Sequence, residues 1–282
     1  MRQENRQNLE RAVASHYGKP DLVEKISEGL GRSGADPNAP TNEALAPVDE
    51  FHTAGRIGTL KALGMMPLQA GMHILDAGSG IGGPARCLAA EYDCRVTGLD
   101  LTPDYVDLAR TLTRQMGLAD KCDFRQGSVV DMPFENAAFD GAITFHVAMN
   151  IKDRSGFYEE LARVLKRGAP LCVFDVMKGP GEGMLFPVPW AETEATSFLR
   201  SRDETVRLLD EAGFRVNAEE NLRGFAIDFY RDAFAKIAEA GSPPPLGLHL
   251  LTGANSPEKF QNYLSALEAH QIEPVILIAE RQ

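Results

Sequence analysis

Apolar residues recur along this chain with two periods, and the switch between them divides it. From Asn8 to Tyr17 the apolar positions Leu9, Ala12, Val13 and Tyr17 fall at helical spacing. Pro20 can open a second helix, with Leu22, Val23, Ile26 and Leu30 on one face. Gly31 to Pro47 is rich in Gly, Pro, Asn and Ala and reads as a loop. The segment Phe51 to Gly64 predicts a helix entered at His52–Thr53, with Ile57, Leu60 and Leu63 facing inward. From His73 onward short apolar runs alternate with helical patterns, which is the signature of a parallel α/β sheet. The expected strands are His73–Leu75, Arg95–Leu99 ending in Asp100, Cys122–Arg125, Gly141–Phe145 and Leu171–Val176. Helices are expected over Gly83–Tyr92, from Pro103 through Leu112, and over Arg154–Leu165, the last stopped by Gly168 as a C-cap.

The first strand and its helix are joined by HILDAGSGIGGPAR, His73 to Arg86. Glycines there let the chain turn sharply and let a ligand approach the backbone, and the following helix offers unpaired N–H groups at its N-terminus. The spacing leaves two ligands open. Gly78, Gly80 and Gly83 satisfy G-x-G-x-x-G, the dinucleotide fingerprint, with Asp100 about where a ribose-binding acid belongs. Gly78, Gly80 and Gly82, with Asp76 just before them, satisfy the acid-x-G-x-G-x-G pattern used for S-adenosylmethionine (SAM). An acid at Asp76 suits an α-amino group and would repel a pyrophosphate. Asp100 falls outside the carboxyl end of its strand, where such sheets bind ligands. A carboxylate there can accept both ribose hydroxyls.

Composition narrows the class further. The chain has 282 residues, 44% hydrophobic and 24% charged, which is ordinary globular usage and enough for one large α/β domain with insertions. Its net charge of −11 argues against broad binding to nucleic acid or to an anionic membrane. Cys87, Cys94, Cys122 and Cys172 form no C-x-x-C pair, so zinc-site spacing is absent, no metal is expected, and buried free thiols are. The N-terminus is polar with no apolar signal region, and no apolar run reaches membrane-spanning length. A cytoplasmic protein, monomer or homodimer, is the expectation.

Four stretches in order, HILDAGSGIGG, VTGLDLTPDYVDLAR, GSVVDMPFENAAFDGAITFHVAMNI and FYEELARVLKRGAPLCVFDV, together resemble the class I SAM-dependent methyltransferases. The resemblance is to the small-molecule branch that includes sarcosine/dimethylglycine N-methyltransferases, quinone C-methyltransferases and sugar O-methyltransferases, and it covers His73 to Val176 most strongly. It implies a Rossmann-like sheet of seven strands, six parallel and one antiparallel, flanked by helices. Phe214–Asn217, after a helix at Arg202–Ala212, fits the sixth strand, and Glu273–Glu280 fits the seventh. Between them, FAIDFYRDAFAKIAEAG and PEKFQNYLSALEAH predict two helices, read as a lid over the acceptor pocket. The expected organisation is an N-terminal helical segment and linker at 1–50, a SAM-binding core at 51–222 and 271–282, and a helical lid at 223–270.

By position, the resemblance implies that Asp76, Gly78, Gly80 and Gly82 hold the methionine end of SAM. Asp100 takes the ribose hydroxyls, while Leu101 and Val129 cover the adenine. In Gly127–Ser128–Val129 the family often carries an acid at the middle position, which accepts from the adenine amino group. Here it is Ser128. Phe145 and His146 line the passage to the methyl group.

Methyl transfer is an in-line displacement that needs alignment, exclusion of water and in some cases a base. His146 is the expected base, with Asn150 four residues on sharing its face. Trp190, the single tryptophan, offers an aromatic wall to a cationic or ring-bearing acceptor. DEFHTAGR, carrying His52 and Arg56, and MLFPVPWAE resemble segments of glycine-betaine-type methyltransferases. The expected acceptor is a small amine such as glycine, sarcosine or dimethylglycine, whose carboxylate needs a cation. Arg56, Arg200, Arg202, Arg223 and Arg231 are the candidates. A ring metabolite methylated at oxygen or carbon is the alternative, and an NAD-dependent oxidoreductase is the distant one.

Overall fold

Alternation of short apolar runs with helical segments gives a single seven-stranded sheet. The strands are β1 (His73–Ala77), β2 (Arg95–Asp100), β3 (Cys122–Gln126), β4 (Gly141–Phe145), β5 (Pro170–Lys178), β6 (Phe214–Asn221) and β7 (Ile272–Arg281). The structure, a computed structural model, describes residues 2–17 and 21–282, with side chains from residue 8 onward in its first helix. The sheet order is β3-β2-β1-β4-β5-β7-β6. Strands β1 to β5 pair in parallel, and β7 runs antiparallel to both β5 and β6. Order reverses at β1, whose neighbours are β2 and β4, and open α/β sheets bind ligands at such a point.

The helices are α1 (Arg2–Tyr17), α2 (Leu22–Arg32), α3 (Asn42–Asp49), α4 (Gly55–Gly64), α5 (Gly83–Glu91), α6 (Pro103–Gln115), α7 (Arg154–Val164), α8 (Arg202–Glu211), α9 (Arg223–Ala240), α10 (His249–Thr252) and α11 (Ser256–Glu268). Both faces of the sheet are covered. Phe157, Leu161 and Val164 of α7 and Leu209 of α8 pack with Leu75, Leu99 and Val173 on one face. Ala62 and Leu63 of α4, Leu88 of α5 and Val106 of α6 pack with Ile74, Val96, Ile143 and Phe174 on the other. Two-sided burial is why the central strands read as continuous apolar runs. All four cysteines are buried free thiols.

Three expectations are corrected, and a fourth falls outside the described residues. The stretch expected to be a loop through Pro47 contains α3, whose N-cap Thr41 accepts from the Ala44 N–H at 3.2 Å. Pro47 sits inside that helix, near its end, in a segment whose Gly- and Pro-rich lead-in hides a cap and one buried face of Leu45 and Val48. The next helix begins at Gly55, not His52. Its buried residues are Gly58, Thr59, Ala62 and Leu63, while Ile57 and Leu60 are exposed. Gly58 sets that rotation, because a Cβ there would lie 2.5 Å from the Thr53 carbonyl. Gly168 is not the cap of α7, which ends at Val164 capped by Leu165, and instead turns the chain into β5 at φ +77°. Pro20, expected to open α2, lies outside the described residues.

Candidate active site

At the carboxyl ends of β1 to β4 lies a cavity of about 1020 Å³. That is at the upper end for small-molecule sites. Its floor is the strand ends with the glycine turn. Its walls and roof come from α1, the segment 189–198, α9, α10 and α11.

Asp76 ends the inward run of β1 and is buried. Its Oδ2 has no hydrogen-bond partner. Burial, then the charges of Asp100 and Glu50, push its carboxyl up to about 8, opposed by Arg86. Gly78 follows at φ +86°, a conformation only glycine adopts readily, and a Cβ there would lie 2.2 Å from the Val147 side chain. Gly83 opens α5, and a Cβ there would meet the Asp49 carbonyl at 2.4 Å, so α3 and α5 close on each other only over glycine.

Asp100 at the end of β2 accepts from the Gly80 N–H at 2.8 Å and the Thr102 N–H at 2.9 Å. Burial nonetheless holds its carboxyl above the usual range against those bonds. Leu101, Ser128, Val129 and Phe145 also line the cavity. Gly82 and Gly127 do not line it. They let neighbours approach: Cβ atoms there would meet Phe124 at 2.7 Å and Leu99 at 2.8 Å.

Beyond β4 the backbone is strained at His146, which has φ +53°. A 3₁₀ turn, Ala148–Asn150, follows. Asp175 holds that turn by accepting from the Ala148 N–H at 2.8 Å, and the Arg154 guanidinium donates to the Ala148 carbonyl. Asn150 thereby sits between α1 and the roof. Its Oδ1 accepts from the Tyr17 hydroxyl at 2.9 Å, and its Nδ2 donates to the Trp190 carbonyl at 2.9 Å.

His146 is ringed by His52 and Phe174, at centroid distances of 5.9 and 5.1 Å. Burial, then the neighbouring His52, hold its imidazole well below the ordinary histidine value. Its Nε2 accepts from the Thr53 N–H at 3.3 Å, which leaves the proton of the neutral ring on Nδ1. His52 is buried, with Nε2 3.0 Å from Glu50 Oε2 and 2.8 Å from Thr59 Oγ1. Burial would raise Glu50, but bonds from His52 and Thr59 outweigh it and hold the carboxyl below its usual range.

Trp190 is buried, donates from Nε1 to Ser197 Oγ at 3.0 Å, and meets Tyr263 edge-on at 5.9 Å. Tyr263 in turn meets Tyr230 at 5.2 Å and hydrogen-bonds Thr53 Oγ1 at 2.5 Å. The structure does not bring Arg56 to the cavity. It is tied to Glu43 at 3.0 Å and Glu91 at 2.9 Å on the outer side of α4 and α5. Arg200, Arg202, Arg223 and Arg231 are also absent from the lining, held by Glu204, Glu219, the Leu267 carbonyl and Glu268. Sequence reasoning missed Tyr17, Tyr230, Phe260 and Tyr263 as lining residues. The last three sit on the two helices read as a lid over the acceptor pocket, whose aromatic density was the signal.

A buried carboxyl with one oxygen unpartnered, beside a left-handed glycine turn and with a second carboxyl one strand over, can receive an ammonium group and a ribose. A methyltransferase domain model matches residues 75–173. An O-methyltransferase of Pyrenophora dematioidea is 30% identical over 72% of this chain and 74% of its own length. The chain belongs to the class I SAM-dependent methyltransferases. The 24-methylenesterol C-methyltransferase 2 of rice (Oryza sativa subsp. japonica) is 29% identical over 60% of this chain, which spans about half (48%) of that relative. The geranyl diphosphate C-methyltransferase of Streptomyces coelicolor A3(2) shares the fold, with a TM-score of 0.65, 19% identity, and coverage of 80% of this chain and 76% of that one.

The residues of this methyltransferase fit its cofactor. The orphaned Oδ2 of Asp76 offers an acceptor to an amino group, and the Cβ-free surface at Gly80, beside which nothing lies within 4 Å, admits close approach. Among the described residues no helix is long and apolar enough to cross a membrane.

Proposed function

We propose that this methyltransferase moves the SAM methyl group to a hydroxyl oxygen of an apolar, ring-bearing small molecule. The observation that carries the reading is the wall opposite the strand ends. Tyr17, Phe51, Met149, Trp190, Phe198, Tyr230, Leu248, Leu251, Phe260 and Tyr263 build it. Lys152 is the one lysine or arginine among the described lining residues, and it is exposed. A glycine- or sarcosine-like acceptor would bring its carboxylate into this wall with no buried cation among the described lining residues to meet it, at a cost of several kcal/mol for a desolvated charge. An apolar ring instead gains about 25 cal/mol for each Å² it buries. The aromatic faces of Trp190 and Tyr263 favour one second reading, a bulky cationic amine without a carboxylate.

The bound cofactor supplies a methyl group activated by sulfonium charge. The chain's own residues align the nucleophile with it and keep water out. In this reading the Nδ1–H of His146 hydrogen-bonds the acceptor oxygen and aims a lone pair at the methyl group, and the hydroxyl proton leaves to solvent, because neither nitrogen of the neutral ring is free to take it. His146→Ala is expected to lower kcat tenfold or more while the SAM dissociation constant stays within twofold. Because the His146 pKa is depressed, the neutral ring persists below the ordinary histidine value. The wild-type rate is therefore expected to stay flat, in the part that depends on His146, from pH 8 down through pH 6.5. A limb near pH 6.5 that vanishes in His146→Ala contradicts this role.

Methyl transfer from labelled SAM tests the acceptor class directly. Hydroxylated polycyclic aromatics and sterol-like alcohols, glycine, sarcosine and dimethylglycine, and hydrophobic tertiary amines form the panel. Label is expected in the hydroxylated rings. Label confined to sarcosine or dimethylglycine overturns the reading.

A further inference from the structure

The cavity floor carries three polar positions on three consecutive strands: Asp76 at the end of β1, Asp100 at the end of β2, and Ser128 just past β3. Neighbouring strands lie about 4.8 Å apart, so the set spans about 10 Å in one line. With the amino group at Asp76 and the ribose at Asp100, the base falls at Ser128. Leu101 and Val129, one beside each of the last two positions, supply the apolar faces a purine ring needs.

A serine there is a weaker reader of a base's amino group than an acid, because its oxygen accepts as a neutral hydroxyl, while its own proton goes to a carboxylate that accepts more strongly. The Ser128 hydroxyl donates to Glu10 Oε1 at 2.7 Å. Glu10 comes from α1, across the cavity, and lines it together with Leu9, Val13 and Tyr17. These positions recur at the spacing of one helix face, so α1 lies along the cavity as a strap. Its far end is fastened by Tyr17 to Asn150, and by His16, which lies 3.2 Å from the Pro189 carbonyl.

We propose that Glu10 reads the adenine: its carboxylate accepts from the exocyclic amino group, and Ser128 positions it there. The proposal rests on the SAM reading of the cavity. It makes α1 part of the cofactor site, so that one helix touches the base at Glu10 and, two turns on, borders the acceptor space at Tyr17. A carboxylate acceptor at that edge selects a 6-amino purine over a 6-oxo purine, whose carbonyl oxygen would face it with like polarity. Asp131, three residues past Ser128 and also lining the cavity, is the competing acid.

The test uses the full chain and two probes, S-adenosyl-L-homocysteine and its 6-oxo counterpart S-inosyl-L-homocysteine, by titration calorimetry. The wild type is expected to prefer the adenosyl compound by about tenfold or more, the size of a charge-assisted hydrogen bond. Glu10→Ala is expected to bind the adenosyl compound about tenfold more weakly, bind the inosyl compound almost unchanged, and so lose the preference. Ser128→Ala, which removes the positioning bond alone, is expected to lose part of it. A melting midpoint near that of the wild type shows that each variant is folded. A preference that persists in Glu10→Ala overturns the proposal, as does one lost in Asp131→Asn instead. If neither compound binds the wild type, the SAM reading itself falls.

Discussion

Asp76→Asn is expected to weaken SAM binding by roughly ten- to a hundredfold and to remove its pH dependence. The Asp76 carboxyl is buried, its Oδ2 meets no partner, and its value is pushed up to about 8. In the free protein at pH 7 it therefore holds a proton. An ammonium group placed against it favours the carboxylate, so binding below pH 8 releases that proton. Affinity then rises with pH toward 8, by up to tenfold per unit. Loss of one charge-assisted bond, about 1.5–3 kcal/mol, sets the predicted fold-change.

The sign of the stability effect is opposite. Between the ordinary carboxyl value near 4 and about 8 the folded carboxyl binds a proton that the unfolded chain has released, so stability falls as pH rises through that window. Asparagine removes this cost, and the ligand-free variant is expected to melt higher than the wild type at pH 7.5. Calorimetry at pH 6.5 in two buffers of different ionisation heat checks the account. The wild-type binding heat should depend on the buffer and that of Asp76→Asn should not. Equal heats in both buffers for the wild type count against it.

Arg86→Ala is expected to destabilise the fold by about 3–5 kcal/mol, a drop in melting midpoint on the order of 10 °C. Arg86 is completely buried inside α5 and pairs with the buried carboxylate of Asp49 at the end of α3. It also donates to Thr113 Oγ1 at 3.2 Å in α6. Three helices thus converge on one guanidinium beneath the cavity. Burial raises Asp49 to about 6 even with Arg86 opposing it. Without the arginine the carboxyl is left as an uncompensated buried charge or takes up a proton, and both outcomes cost stability. The double variant Arg86→Met/Asp49→Leu, which fills the same space with apolar groups, is expected to recover much of the loss. A single variant within 1 kcal/mol of the wild type would show that the pair contributes nothing.

The core of this fold was legible because its signals are local. Each buried strand is an apolar run, each glycine turn announces itself, and β1, β2 and β4 begin where the pattern places them. What escaped is what depends on partners far along the chain. The face of α4 is set by Gly58 against the Thr53 carbonyl and not by its own apolar spacing, which points to the exposed Ile57 and Leu60. Arg56 looked available for a substrate because nothing local shows Glu43 and Glu91 closing on it. The substitution of Ser128 for an acid was visible as a deficit. That Glu10, 118 residues earlier, comes to rest against it is a fact of tertiary packing. The aromatic wall likewise gathers Tyr17, Trp190, Tyr230 and Tyr263 from four separate segments, and no window of sequence contains it.

In the proposed reading, the space beyond the cofactor accepts an apolar ring and not an amino acid. The most direct measurement is the melting midpoint of the protein saturated with S-adenosyl-L-homocysteine, before and after adding each acceptor class. A molecule bound only by the folded complex raises the midpoint by mass action. A further rise is expected with hydroxylated polycyclic rings and none with sarcosine or dimethylglycine at the same concentration. A rise with the amino acids alone would contradict it.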